Sequence, residues 1–147
     1  DLGEHLGAIL DFCYVMVKQE KPALVGYEQP SIFNKTTPAT TTKLSCYGPA
    51  LEKVCHRRRG LGVPVRQINP SKCGMFWNGK GLKGQAKKDE TVRRAKLYGF
   101  AVRNDDEADA IADFFLMVEF YGTEEQKRFF HQMRTEGDFG VQQKIGF

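Results

Sequence analysis

The sequence has no Cys-x-x-Cys pair, no apolar run of membrane-spanning length and no secretory leader pattern, and its middle third is nearly without acid. Each absence narrows the field. Four cysteines are present, Cys13, Cys46, Cys55 and Cys73, but their spacing is unlike that of a structural zinc site. Cys46 with Cys55-His56 comes nearest, and adjacent ligands with those gaps fit poorly. Cys13 falls on an apolar helical face, as a reduced core cysteine does. With neither leader nor span, the expected setting is reducing and cytoplasmic, without a membrane partner. What the chain does have is a 41% apolar fraction with 12% aromatics, which excludes a disordered polymer, and 147 residues, enough for one domain of ordinary size. No internal repeat is visible.

The net charge of +4 is unevenly spread. Residues 53–103 carry 14 Lys and Arg against two acids, Asp89 and Glu90, whereas residues 104–147 carry ten acids against four bases. A basic middle beside an acidic end suits a polyanion held near carboxylates that bind cations. A solvated basic face accounts for the charge equally well.

Leu2, Leu6, Ile9, Leu10, Cys13 and Val17 recur at spacings of three and four and predict a helix over 2–19, stopped by Lys21-Pro22. Residues 23–27 read as a short buried strand. Pro30 cannot continue a central strand, so Glu28 is expected at its carboxyl end. A polar stretch containing Pro38 leads into a helix over about 40–59, Gly60-Leu61-Gly62 breaks it, and 63–68 form a second strand. Asn69-Pro70-Ser71 suits a helix start. The Gly- and Lys-rich residues 78–85 predict a mobile loop, followed by a basic helix over 86–97 that Gly99 ends. Asn104 or Asp105 caps a long helix to about 121, Gly122 stops it, and Thr123-Glu124-Glu125 opens a last helix to about 134, with a tail beyond. The order is α/β. Two strands are too few for this much helix, so further strands are expected before Asp1.

Three carboxylates stand out by context. Glu28 closes a buried strand, where an acid is costly unless paired or metal-bound. Asp106 and Asp109, three apart at the head of the long helix, share one face. Capping of the helix dipole is the competing account of Asp105, Asp106 and Glu107, and a solvent-facing strand end is that of Glu28. Capping explains Asp109 less well, because it lies a turn in, beside Ile111, Ala112 and Phe115. Hard oxygen donors of this kind suit Mg²⁺ or Mn²⁺. Phe76-Trp77 reads as core, with stacking on unpaired bases as the alternative. Phe114, Phe115, Phe120, Phe129 and Phe130 follow helical spacing and suit a core or a subunit contact, and the tail's Phe139 and Phe147 suit a partner subunit.

Four segments in order carry a family resemblance. Leu24-Val25-Gly26-Tyr27-Glu28-Gln29-Pro30 resembles the glutamate-bearing strand of RuvC-type Holliday-junction resolvases, and Asp106-Glu107-Ala108-Asp109-Ala110 resembles their DxxDA helix head. Between them, 65–72 (VRQINPSK) and Gly84-Gln85-Ala86-Lys87-Lys88 are similar to the family's lysine-bearing segment. The resemblance implies a ribonuclease-H-like α/β fold, a mixed sheet flanked by helices, of which this sequence lacks the first three strands. It implies a nuclease domain at 1–122, with a helix and tail at 123–147. It implies a homodimeric crossover junction endodeoxyribonuclease of DNA recombination and repair, in a bacterial or phage-infected cell, without an organic cofactor.

Glu28, Asp106 and Asp109 would then be metal ligands, with a fourth carboxylate on the opening strand, holding two Mg²⁺ ions about 3.5–4 Å apart. By the same resemblance, water would attack the phosphodiester in line and the products would be a 5′-phosphate and a 3′-hydroxyl. Lys88, with Lys87 beside it, would offset phosphate charge in the transition state or serve general backbone binding. Lys72, Lys80, Lys83, Lys87, Arg93 and Arg94 would contact DNA phosphates, with Arg57-Arg58-Arg59 as further candidates. The departure is at the start. Only 27 positions separate Asp1 from Glu28, and a helix fills nearly all of them, so Asp1 reads as that helix's cap rather than as the first carboxylate. Two rivals remain: a non-catalytic nucleic-acid-binding module of the same fold, and a ribonuclease-H-like nuclease that processes RNA.

Overall fold

The computed structural model describes residues 2–30, 37–56, 61–79 and 81–145, with side chains described for 3–30, 37–56, 61–79 and 81–137. Asp1, Arg57-Arg58-Arg59, Lys80 and Phe147, all singled out by sequence, lie outside the described residues, and the side chain of Phe139 lies outside those described. The chain is mixed α/β and mostly helical, in two compact units, Asp1–Pro70 and Ser71–Phe147.

In the amino-terminal unit the predicted leading helix is α1 (Leu2–Glu20). It ends where the Lys21 N–H bonds the Val17 carbonyl at 3.0 Å and Lys21 takes a left-handed φ of 46°, with Pro22 barring continuation. Strand β1 (Val25–Glu28) leads through α2 (Pro38–Cys55) to β2 (Val65–Ile68), and the strands pair in parallel, Val25 opposite Val65 and Glu28 opposite Ile68. This is the helical crossover that parallel pairing requires. Thr37 caps α2, accepting the Thr40 N–H at 3.2 Å. Val17, Val54 and Cys55 form the buried core, with Leu10, Cys13, Leu51, Val25 and Val65 packed against it. Both helices therefore cover the strand face that bears Val25, Tyr27, Val65 and Gln67, and Glu28 and Ile68 belong to the other face. His5 Nε2 and the Tyr47 hydroxyl, 2.7 Å apart, tie α1 to α2.

Gly48 sets the distance between α2 and β1. A Cβ there would lie 2.6 Å from the Tyr27 ring, so glycine is what lets the ring pass under the helix. The Tyr27 hydroxyl then donates to Glu52 Oε1 at 3.0 Å, and burial followed by this bond pushes its pKa up.

The carboxyl-terminal unit is helical: α3 (Pro70–Asn78), which starts at the boundary, α4 (Gly84–Leu97), α5 (Asp105–Tyr121) and α6 (Glu124–Ile145). Trp77 is 0% exposed and meets Tyr98 and Phe115 edge-on at 5.2 and 5.1 Å, while its indole N–H donates to the Thr91 carbonyl at 3.4 Å. Burial is thus the outcome for Trp77, and base stacking is closed to it. Phe115 is buried and stacks edge-on with Phe130 at 4.7 Å, whereas Phe114, Phe120 and Phe129 are exposed. Ala95, Ala108 and Ala112 are buried where α4 and α5 pack, small residues that allow close approach.

Gly99, at φ 90°, ends α4 as expected. Its N–H bonds the Lys96 carbonyl and that of Phe100 reaches Ala95, the paired bonds of a Schellman cap. The last helix departs from expectation, continuing to Ile145 instead of stopping near 134. Gly137 is there for packing: a Cβ would lie 2.5 Å from the Tyr98 ring.

Candidate metal and nucleic-acid site

Helix α5 opens with four acids in five residues, and the structure gives them different work. Asn104 is the cap, its Oδ1 accepting the Glu107 N–H at 2.9 Å. Glu107 reaches back to accept the Arg103 N–H at 2.8 Å and the Arg103 Nε at 2.7 Å, which holds its carboxyl below the usual range. Asp105 takes the Lys88 ammonium at 2.6 Å; that bond pushes the Asp105 pKa down and the Lys88 pKa up. Capping and pairing thus absorb Asp105 and Glu107. Among the described residues, Asp106 and Asp109 are the acids of this run with neither a cap nor a direct ion pair.

Asp106 is exposed and Asp109 is half-buried, on one face of α5. Burial pushes the Asp109 carboxyl up, Lys87 opposes this, and Asp105 and Asp106 add to it. A turn further along, at the same stripe, is Asp113, which sequence reasoning missed. Its carboxyl is raised first by burial; a Cys73 hydrogen bond and Lys87 pull against that, and Asp109 adds to it. Its Oδ1 is buried with no partner among the described residues. The spacing 106, 109, 113 was the available signal, masked by the apolar residues around Asp113.

Helix α4 brings the cations. Lys87 is half-buried, its Cε 3.2 Å from where a Cβ on Gly74 would be, so its stem runs along α3. Lys88 is exposed beside Asp105, and Lys83 is exposed at the helix start. Lys72 is exposed on α3. The two arginines share one acid: Arg93 makes a two-pronged contact with Glu90 at 2.7 and 2.8 Å, and Arg94 Nε adds a third at 2.8 Å. The Arg93 bond leads in holding Glu90 at about 2. Arg94, 19% exposed, also reaches the Tyr98 hydroxyl at 3.3 Å, so much of its capacity is spent inside the unit; Arg93 is 50% exposed.

In the amino-terminal unit Glu28 is exposed as the last residue of β1, the strand-tip position expected of it. Mg²⁺ is commonly held by one or two carboxylates with waters and phosphate oxygens completing its shell, and Asp106 and Asp109 are the carboxylates of this run left to serve such an ion. Among the described residues, no three or more His, Cys, Asp or Glu side chains gather closely enough to hold a metal by themselves. No described helix is long and apolar enough to cross a membrane. No protein-family model matches the chain, and no curated protein matches it.

Proposed function

We propose that this chain belongs to a Mg²⁺- or Mn²⁺-dependent, structure-selective endonuclease of the RuvC type. In this reading it has a ribonuclease-H-like fold, acts as a homodimer in the cytoplasm of a bacterial or phage-infected cell, and cuts four-way DNA junctions. One observation supports this reading above the rest: caps and ion pairs use up the neighbouring acids of α5, and Asp106 and Asp109 remain on one face, beside the lysines of α4.

A divalent ion held there supplies the Lewis-acid charge that phosphodiester hydrolysis needs. Asp106 and Asp109 donate carboxylate oxygens. The half-burial of Asp109 restricts its carboxyl and makes a nearby cation favourable, because the cation offsets the burial that raises its pKa. Lys87 and Lys88 offset phosphate charge at the same helix pair. The family resemblance adds Glu28 as a further oxygen donor. Lys72, Lys83 and Arg93 suit sequence-independent phosphate contacts, whose affinity falls as salt rises.

The test presents the chain with a labelled four-way junction, a linear duplex and a structured RNA, each with Mg²⁺ or Mn²⁺. The expected result is paired nicks on the junction, reduced at least about a hundredfold by Asp109→Asn, Asp106→Asn or Glu28→Gln. Tight junction binding without nicks in either metal replaces this reading with the non-catalytic module, and preferential RNA cutting replaces it with an RNA-processing nuclease.

A further inference from the structure

Where β1 and β2 end, the amino-terminal unit has a cavity of about 290 Å³ lined by Tyr27, Gln29, Ser45, Gly48, Pro49 and Gln67. We propose that this cavity binds a single unpaired nucleobase of a nucleic-acid strand. The inference rests on the nucleic-acid reading above but uses none of the candidate metal ligands.

Its position follows from topology. Ligands of open α/β sheets bind beyond the carboxyl ends of parallel strands, which is where this cavity opens. Strand alternation places Tyr27 of β1 and Gln67, in register with it, on the face that α2 covers, and Gln29, one residue past the strand and bonded to the Ile68 carbonyl, continues that alternation. Glu28, between Tyr27 and Gln29 in sequence, belongs to the opposite face. A base in the cavity therefore leaves the candidate ligand clear.

The chemistry of the wall selects the occupant. Among the described residues none that lines it is charged, which disfavours a phosphate or carboxylate as the bound group and suits a neutral one. Gln29 and Gln67 each present an amide with donor and acceptor, the pattern that reads the edge of a base. Pro49 sits inside α2, where it has no N–H to donate to the Ser45 carbonyl four residues back. The Tyr27 ring and the Pro49 ring supply flat apolar surface, and the Tyr27 hydroxyl, committed to Glu52, keeps the ring in place. The volume lies at the low end of small-molecule sites, roughly 300–1,000 Å³. It suits one base and is too small for a pair, so the base must already be unstacked, as at a branch point or in a single strand.

The experiment measures binding of the whole chain, without divalent metal, to short labelled single strands that differ at one central position: A, C, G, T or an abasic site. At least one base is expected to bind about fivefold or more tightly than the abasic strand. Gln29→Leu and Gln67→Glu, both at exposed positions that leave the core intact, are expected to reduce that ratio below about twofold while general salt-dependent binding persists. In nitrogen-15 NMR spectra the side-chain amides of Gln29 and Gln67 should shift with the preferred strand and stay put with the abasic one. Equal affinity for base-bearing and abasic strands overturns the proposal, as does an undiminished ratio in both variants. A chain that discriminates bases but nicks no junction defeats the endonuclease reading alone; one that nicks junctions but ignores the central base defeats this one alone.

Discussion

The two units are stabilised in different ways. The carboxyl-terminal unit is built around an aromatic knot, Trp77 with Tyr98 and Phe115, closed by the small residues Ala95, Ala108 and Ala112. The amino-terminal unit has a thinner centre: three buried residues, Val17, Val54 and Cys55, cover a parallel pair of four-residue strands. Exposed apolar side chains do not separate the units: α1 leaves Phe12, Val15 and Met16 exposed, and α5 and α6 leave Phe114, Phe120 and Phe129 so. Two strands have little independent stability, so the amino-terminal unit depends on close helix-to-strand fit, whereas the other depends on buried aromatic area. The candidate chemistry is also unevenly divided, with Asp106, Asp109 and the lysines on the aromatic unit and, at the strand tips of the other, Glu28 beside neutral hydrogen-bonding groups.

The largest effect that can break this comparison is at Trp77. Trp77→Ala should cost about 3–5 kcal/mol, read as a large drop in the urea midpoint and as lost amide-exchange protection across α4 and α5. If α1 and α2 lose protection equally, the units are one cooperative body and the contrast fails. Gly48→Ala comes next. A methyl group aimed at the Tyr27 ring should cost about 1–3 kcal/mol, with exchange accelerated in β1 and α2 and little change in α5.

The smallest expected effects concern two acids of the carboxyl-terminal unit with shifts of opposite sign. Glu90 is held at about 2, below its ordinary 4.5, so its contribution is complete above pH 4.5 and drains away as pH falls towards 2. Asp109 is raised above 3.8, so its ionisation costs stability at neutral pH and nothing below 3.8. Melting temperatures should therefore fall by a few degrees at pH 7 for Glu90→Gln and rise by a few degrees for Asp109→Asn, each on the order of 1 kcal/mol or less after solvent screening. Both differences should shrink near pH 3. An Asp109→Asn protein that is less stable at pH 7 would mean that Lys87 outweighs burial at that site.

Much of the secondary structure was legible because it is written in local chemistry. The three- and four-residue spacing from Leu6 to Val17 marks α1, Pro30 places Glu28 at a strand end, and Asn104 and Gly99 act as cap and stop. What was hidden depends on partners distant in sequence. The last helix was expected to stop near 134, and its continuation past Gly137 fits only once Tyr98 is seen to occupy the space that a side chain there would need. Arg93 and Arg94 read as phosphate contacts, and only the fold of α4 shows both turned onto Glu90. Asp106 was singled out by its spacing from Asp109, but capping remained a rival account of it as of Asp105 and Glu107, because the pairing of those two neighbours is made by Lys88 and Arg103. Asp113 was overlooked although the spacing 106, 109, 113 offered it, because its half-burial is a property of its neighbours.

The Lys88–Asp105 link has one more consequence. A lysine already neutralised by its own chain gives an approaching polyanion less than a full positive charge, and it must exchange one anion for another to bind. Each such exchange frees a carboxylate at the head of α5 as it engages a phosphate, so part of the attraction is returned as local repulsion. Ionic strength weakens both pairings together. The logarithmic salt dependence of association should accordingly be shallower than a census of lysines on this surface suggests, and it should steepen when Asp105 is made neutral.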